Sequence, residues 1–181
     1  MLLHMHGFCV RMHRKGGVHM PILGSWSGMR MYLEEEMLCE ALRGRVRYHL
    51  TTYPNMDKAG HFEVFVDGQS RKIFSMDYAA SQLYLASDKS AEMWENFWKQ
   101  RENAQAHQQF DDMQFAEALA EYRSLNIQDA VNSENSVVRM FAVLDRRVGK
   151  RTLALLKEKI AEQPEWLQFF YTLRLASENR I

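Results

Sequence analysis

Hydrophobic positions along this chain change their period twice. From Trp26 to Leu42 the residues Trp26, Met29, Leu33, Met37, Leu38 and Ala41 recur at helical intervals, which predicts one amphipathic helix with Ser25 as its N-cap and Gly44 just past its end. From Val46 the period falls to two: Val46, Tyr48, Leu50 and Thr52 alternate with Arg45, Arg47, His49, Thr51 and Tyr53, the pattern of a half-buried strand. Beyond breakers at Pro54-Asn55 and Ala59-Gly60, Phe62, Val64 and Val66 alternate with His61, Glu63, Phe65 and Asp67. Asp67-Gly68 is a two-residue hairpin signal, and the chain returns through Arg71, Ile73 and Ser75. A three-stranded antiparallel meander is therefore expected, with Val46, Tyr48, Leu50, Phe62, Val64 and Val66 buried together and Arg47, His49 and Glu63 more exposed.

Past Asp77 the pattern is helical. Met93, Trp94, Phe97, Trp98 and Arg101 stripe one helix, and Phe115, Ala118, Leu119 and Tyr122 stripe another behind an Asp111-x-x-Gln114 capping signal. Val137, Phe141, Leu144 and Val148 stripe a third. Gly149 is expected in the left-handed conformation that ends it, and Lys150-Arg151-Thr152 opens a helix carrying Leu153, Leu156 and Ile160. Pro164 suits the first position of a terminal helix with Trp166, Leu167, Phe170, Leu173 and Leu175. These helices need the sheet and one another to bury their stripes. The expected fold is α+β: an N-terminal helix, a three-stranded antiparallel meander, then a helical C-terminal half packed on the sheet. Residues 20–181 form one domain on this reading, with helix and meander in 20–78 and helices in 79–181. A content of 46% hydrophobic and 12% aromatic residues in 181 suits a single core.

Residues 1–19 do not fit that pattern. They hold four of the seven histidines, no acid, and neither helical nor strand periodicity. Arg14-Lys15-Gly16-Gly17 can be encoded AGG-AAA-GGA-GGU, a purine-rich bacterial ribosome-binding sequence, with Val18-His19 as spacer before Met20. The expectation is that 1–19 is an untranslated leader or a disordered tail and that translation starts at Met20. A metal-binding tail from His4, His6, Cys9, His13 and His19 is the competing reading, but its spacing matches no structural zinc pattern.

Net charge is zero, yet its distribution is uneven. Between Ala86 and Asn132 nine acids face four cations, whereas from Arg139 to Lys159 seven cations face Asp145 and Glu158. The plainest reading is that these two stretches neutralise each other. The other is that Arg139, Arg146, Arg147, Lys150 and Arg151 make a basic corner at a helix start that binds an anion or a partner. A weaker candidate is the polar strand face of Arg47, His49, Tyr53 and Glu63, where a histidine beside a carboxylate could do acid–base work under one register. Cross-strand polar pairs are also common as sheet stabilisers. Cys9 and Cys39 are too few for a disulfide framework and suit a reducing cytoplasm. No run approaches the roughly 18 apolar residues of a membrane span. No catalytic group, metal site or cofactor is expected from any motif.

Two segments resemble a known family. Ser25-Trp26-Ser27-x-Met29-Arg30, Leu42-Arg43-Gly44-Arg45-Val46-Arg47-Tyr48, Thr51-Thr52-Tyr53 and Phe65-Val66-Asp67-Gly68 resemble the N-terminal signature of a family of small bacterial cytoplasmic proteins of unknown function, and Val138-Arg139 with Ala142 through Leu153 resembles its C-terminal signature. Together these frame nearly everything after Gly24. The resemblance implies a small bacterial cytoplasmic protein and transfers no activity, ligand or catalytic residue. The functional expectation is a non-enzymatic regulatory or accessory protein acting through a protein partner. The alternatives are nucleic-acid or phosphate binding at residues 146–151, and an enzyme whose site is assembled only in space.

Overall fold

The computed structural model describes residues 25–52, 60–75, 99 and 104–179. The proposed leader with its start at Met20, Tyr53, and the helix stripe from Met93 to Arg101 lie outside the described residues. The α+β class holds: an N-terminal helical segment, an antiparallel sheet in the order β1-β2-β3, and a helical C-terminal half.

Helix α1 spans Trp26–Met31, and its N-cap Ser25 accepts the Gly28 amide at 3.2 Å, as the sequence predicts. The single helix expected to run to Leu42 is interrupted. The chain passes into a π-helical turn at Tyr32–Met37, extends at Leu38 and Cys39, and closes a 3-10 turn at Glu40–Leu42. The interruption has a physical cause. Leu38 and Cys39 give their backbone to an antiparallel bridge with the segment around Asp145, in which the Cys39 amide donates to Leu144 O (3.1 Å) and the Arg146 amide to Met37 O (2.9 Å). Apolar spacing continues through the break because Leu33, Met37, Leu38 and Leu42 all enter the core.

Strands β1 (Val46–Thr52), β2 (Gly60–Val66) and β3 (Gln69–Ser75) pair as the meander requires, with Tyr48 opposite Val64 and His49 opposite Glu63. Asp67 and Gly68 both have positive φ, 52° and 78°, the conformation of a two-residue hairpin turn with the twist of the sheet. Val46, Tyr48, Phe62, Val64 and Val66 are buried and Leu50 partly so, while Arg47 and His49 are exposed and Glu63 partly exposed. A bulge at Val64/Phe65 re-registers β3, pairing Val64 with Lys72 and Phe62 with Phe74. Lys72 and Phe74 thus lie on the core face, and Ile73 is left 47% exposed.

The C-terminal helices are α2 (Asp112–Ser124), α3 (Ile127–Val131), α4 (Ser136–Leu144), α5 (Lys150–Glu158) and α6 (Glu165–Ser177); α2 packs on β2 and β3, α3 on α4, and α5 on α6. Asp111 and Gln114 form the reciprocal capping box read from the sequence, with bonds of 2.7 and 2.9 Å. Phe115 of α2 joins sheet to helices: it stacks on Phe62 at 4.3 Å between centroids and meets Phe74 and Phe141 edge-on at 4.9 and 5.4 Å.

The corner at Gly149 departs from expectation. Helix α4 ends at Leu144, so Val148 belongs to the connection, and Gly149 is the N-cap of α5 with φ −81° and ψ 171°. This is ordinary extended backbone, and a Cβ there would meet nothing within 4 Å. Gly44, by contrast, has φ +77°. Gly44→Ala should therefore cost about 1 kcal/mol in denaturant unfolding, whereas Gly149→Ala should change stability by less than about 0.5 kcal/mol, weaker capping being offset by a less flexible unfolded chain. A larger loss at Gly149 than at Gly44 would contradict this assignment.

Candidate functional site

The corner between α4 and α5 is organised by Asp145, which is 1% exposed. One carboxylate oxygen accepts the Arg147 amide at 2.7 Å; the other accepts Arg147 Nε at 2.8 Å and the Tyr122 hydroxyl. Arg147 Nη2 also reaches the Tyr122 oxygen at 3.1 Å. Hydrogen bonding to Asp145 raises the Arg147 pKa, and burial, followed by the bond to Asp145, raises that of the Tyr122 phenol. Arg139 is likewise turned to the backbone, with Nη1 on Ser133 O and Glu134 O (2.6 and 2.9 Å) and Nε on Gln163 Oε1 (3.0 Å). Two of the five corner cations thus brace the fold.

Arg146, Lys150 and Arg151 differ: all three are exposed, and among the described residues none makes an ion pair. Helix α5 buries only Leu153 and Leu156, and its outer surface carries Leu155, 59% exposed, one turn beyond Arg151. Beneath the corner, the fully buried Arg174 of α6 donates from Nη2 to Val148 O at 3.1 Å and lies 3.4 Å from Glu178.

The polar strand face does not form an acid–base pair. His49 and Glu63 are opposite in register, but the His49 ring lies 4.5 Å from that of Phe65, and the Glu63 carboxylate is 3.5 Å from His61 Nε2. Arg47 is held at 2.6 Å by Glu34, whose other oxygen accepts the Tyr48 amide at 2.9 Å. Glu34, 6% exposed, thereby supplies the acceptor that edge strand β1 lacks on that side. Helical spacing carried no sign of it, because the π-helical turn redirects residue 34 inward.

A second group missed by the sequence reading surrounds Lys72. Its Nζ donates to Gln108 O at 2.8 Å and sits 4.5, 5.3 and 5.8 Å from the ring centroids of Trp166, Phe110 and Phe74. Gln108 has φ +58°, and its side-chain oxygen accepts Ser136 Oγ (2.9 Å) and Trp166 Nε1 (3.4 Å). Burial lowers the Lys72 pKa to about 8. Lys72 reaches these three rings because the bulge places it on the core face of β3.

Among the described residues no three histidine, cysteine or acidic side chains gather as a metal site, and no helix is long and apolar enough to cross a membrane. The SF0329 protein family matches residues 25–175, and no curated protein or solved structure matches the chain.

Two stability measurements check this description. Asp145→Ala should cost about 3 kcal/mol, because it strands a buried phenol and removes the charge paired with Arg147; a loss below about 1 kcal/mol would mean the cluster is incidental. For Lys72 the folded pKa lies below the unfolded value of 10.5, so the unfolded chain binds more protons between about pH 8 and 10.5 and stability rises with pH across that window. Lys72→Met should therefore raise the melting temperature at pH 7, with the advantage shrinking toward pH 10.5. A lower melting temperature at pH 7 would mean that the rings and the Gln108 carbonyl outweigh burial.

Proposed function

The chain belongs to the SF0329 protein family, and from the exposed face of α5 we propose that it is a non-enzymatic regulatory or accessory protein of the bacterial cytoplasm that docks an acidic protein partner. The observation that carries this reading is the exposure of Arg146, Lys150 and Arg151 without acidic partners among the described residues, together with Leu155 on the same helix as Lys150 and Arg151. Cations left unpaired lose little on association, since no internal salt bridge must break. An exposed leucine beside them gives a partner apolar area that a phosphate backbone does not use. The neighbouring Arg147 is held by Asp145 and fixes the backbone from which the free cations project.

Nucleic-acid or phosphate binding at the same corner is the second reading. It is favoured by the first turn of α5, where no side chain caps the amides at Gly149 and no acid is present.

Fluorescence anisotropy separates the two, using an acidic peptide of alternating glutamate and leucine and a duplex oligonucleotide of matched charge. Arg146→Glu, Lys150→Glu and Arg151→Glu combined should abolish peptide binding while moving the circular-dichroism midpoint by no more than about 2 °C, as expected for exposed charges. Leu155→Ser should weaken the peptide complex at least severalfold. Duplex binding that falls steeply with salt and ignores Leu155→Ser would favour the second reading, and a large drop in the melting midpoint of the triple variant would mean the cations are structural.

A further inference from the structure

We infer, building on the docking reading of α5, that the partner's docking element is an acidic amphipathic helix seated in the groove between α5 and α6. The groove has a volume of about 630 Å³ and lies on the flank of α5 that faces α6. Its floor is Leu153 and Leu175, both buried, and its open side is bounded by Ala154 and Lys157 of α5 and by Asn179 beyond the end of α6. Asn179 takes a left-handed backbone, φ 54°, directly after the C-cap Glu178, which ends α6 at the groove.

Charge decides what the groove accepts. Along α5 the cations Lys150, Arg151 and Lys157 stand against Glu158 alone, and at the end of α6 Arg174 and Glu178 pair with each other at 3.4 Å. Lys150, Ala154 and Lys157 recur at helical intervals and so share one flank of α5. Both lysines are exposed, and neither forms an ion pair among the described residues. Ala154, also exposed, lies between them and is short enough to leave the gap above Leu153 open. The complementary surface is two acids with an apolar side chain between them. A third acid would meet Glu158 on the outer rim.

Spacing selects a helix. The two lysines are seven residues apart, about 10 Å along the axis of α5. On a helix laid along the groove, acids seven residues apart match that distance and share a face with the residue three or four positions from each. In a strand the same distance takes about three residues, an odd step that turns the two acids to opposite faces. A nucleic-acid backbone matches the cations but has no apolar side chain for the leucine floor. The acidic helix α2 of a second copy does not fit either: Glu117 and Glu121 are four residues apart, and Glu121 already accepts from Ser133 Oγ and Asn135 Nδ2 at 3.1 and 3.3 Å.

The test is fluorescence anisotropy of the full chain with two peptides of about 20 residues, long enough to be helical. Each holds two glutamates and a leucine in a background of alanine and glutamine. One spaces the glutamates seven residues apart around the leucine; the other spaces them nine apart, on opposite sides of the helix. The seven-spaced peptide should bind at least ~10-fold more tightly, and equal affinities overturn the helical seat. This comparison uses the unmutated chain, so it does not depend on a variant folding. Ala154→Trp, which fills the groove from an exposed position, should weaken the seven-spaced peptide at least ~10-fold and leave the circular-dichroism midpoint within about 2 °C of the parent. Unchanged binding overturns the groove. Should the alternating glutamate and leucine peptide bind through Arg146, Lys150 and Arg151 while the two helical peptides bind alike, the docking reading stands and this seat falls. Self-association in sedimentation that Ala154→Trp abolishes would put a second copy in the groove and overturn the choice of partner.

Discussion

A carboxylate placed almost wholly out of water must be surrounded by donors or it unfolds its own site. Asp145 meets that requirement with the Arg147 amide, the Arg147 guanidinium and the Tyr122 hydroxyl. The donors come from two residues with different places in the fold: Tyr122 stands on α2 and Arg147 on the turn toward α5, while the extended backbone at Asp145 leaves Leu144 and Arg146 open to bridge Met37 and Cys39. Through this one group the N-terminal segment, α2, α4 and the entry to α5 are tied into a single arrangement. The aromatic core around Phe115 then packs against a frame whose relative positions are already set.

The same constraint divides the cations by role. Arg147 lies against Asp145, and Arg139 is spent on backbone carbonyls, so neither is free to meet a ligand. Arg146, Lys150 and Arg151 follow a fixed backbone but pair with no acid among the described residues. Neutralisation by the acidic helices is not what the geometry displays among the described residues. The ion pair made within the basic stretch is to its own Asp145.

Most of the fold was legible because burial on one face writes a period into the sequence. Tyr48, Phe62 and Val64 alternate, and Phe115, Leu119 and Tyr122 recur at helical spacing, so strand and helix identities followed directly. What was not legible arose where tertiary demands override local pattern. Leu38 and Cys39 keep helical apolar spacing yet extend to make the bridge, Gly149 looks like a C-terminal glycine yet opens a helix in extended backbone, and one bulge sends Lys72 inward in place of Ile73. Of the basic corner, its location was readable from charge, but the separation of bracing from free cations was not, because it depends on which guanidinium can reach Asp145. The Lys72 enclosure draws Phe74, Phe110 and Trp166 from three distant segments, and no spacing rule joins them.

If Asp145 and its bridge hold the structure together, the amides of Cys39 and Arg146 cannot open without the whole molecule opening. Native-state hydrogen exchange reads this directly. The account predicts that both amides exchange with the free energy of global unfolding, like core amides in α4, while the exposed helix α5 opens more readily. Exchange at Cys39 and Arg146 through cheap local opening, as fast as at Ala154 in α5, would contradict it.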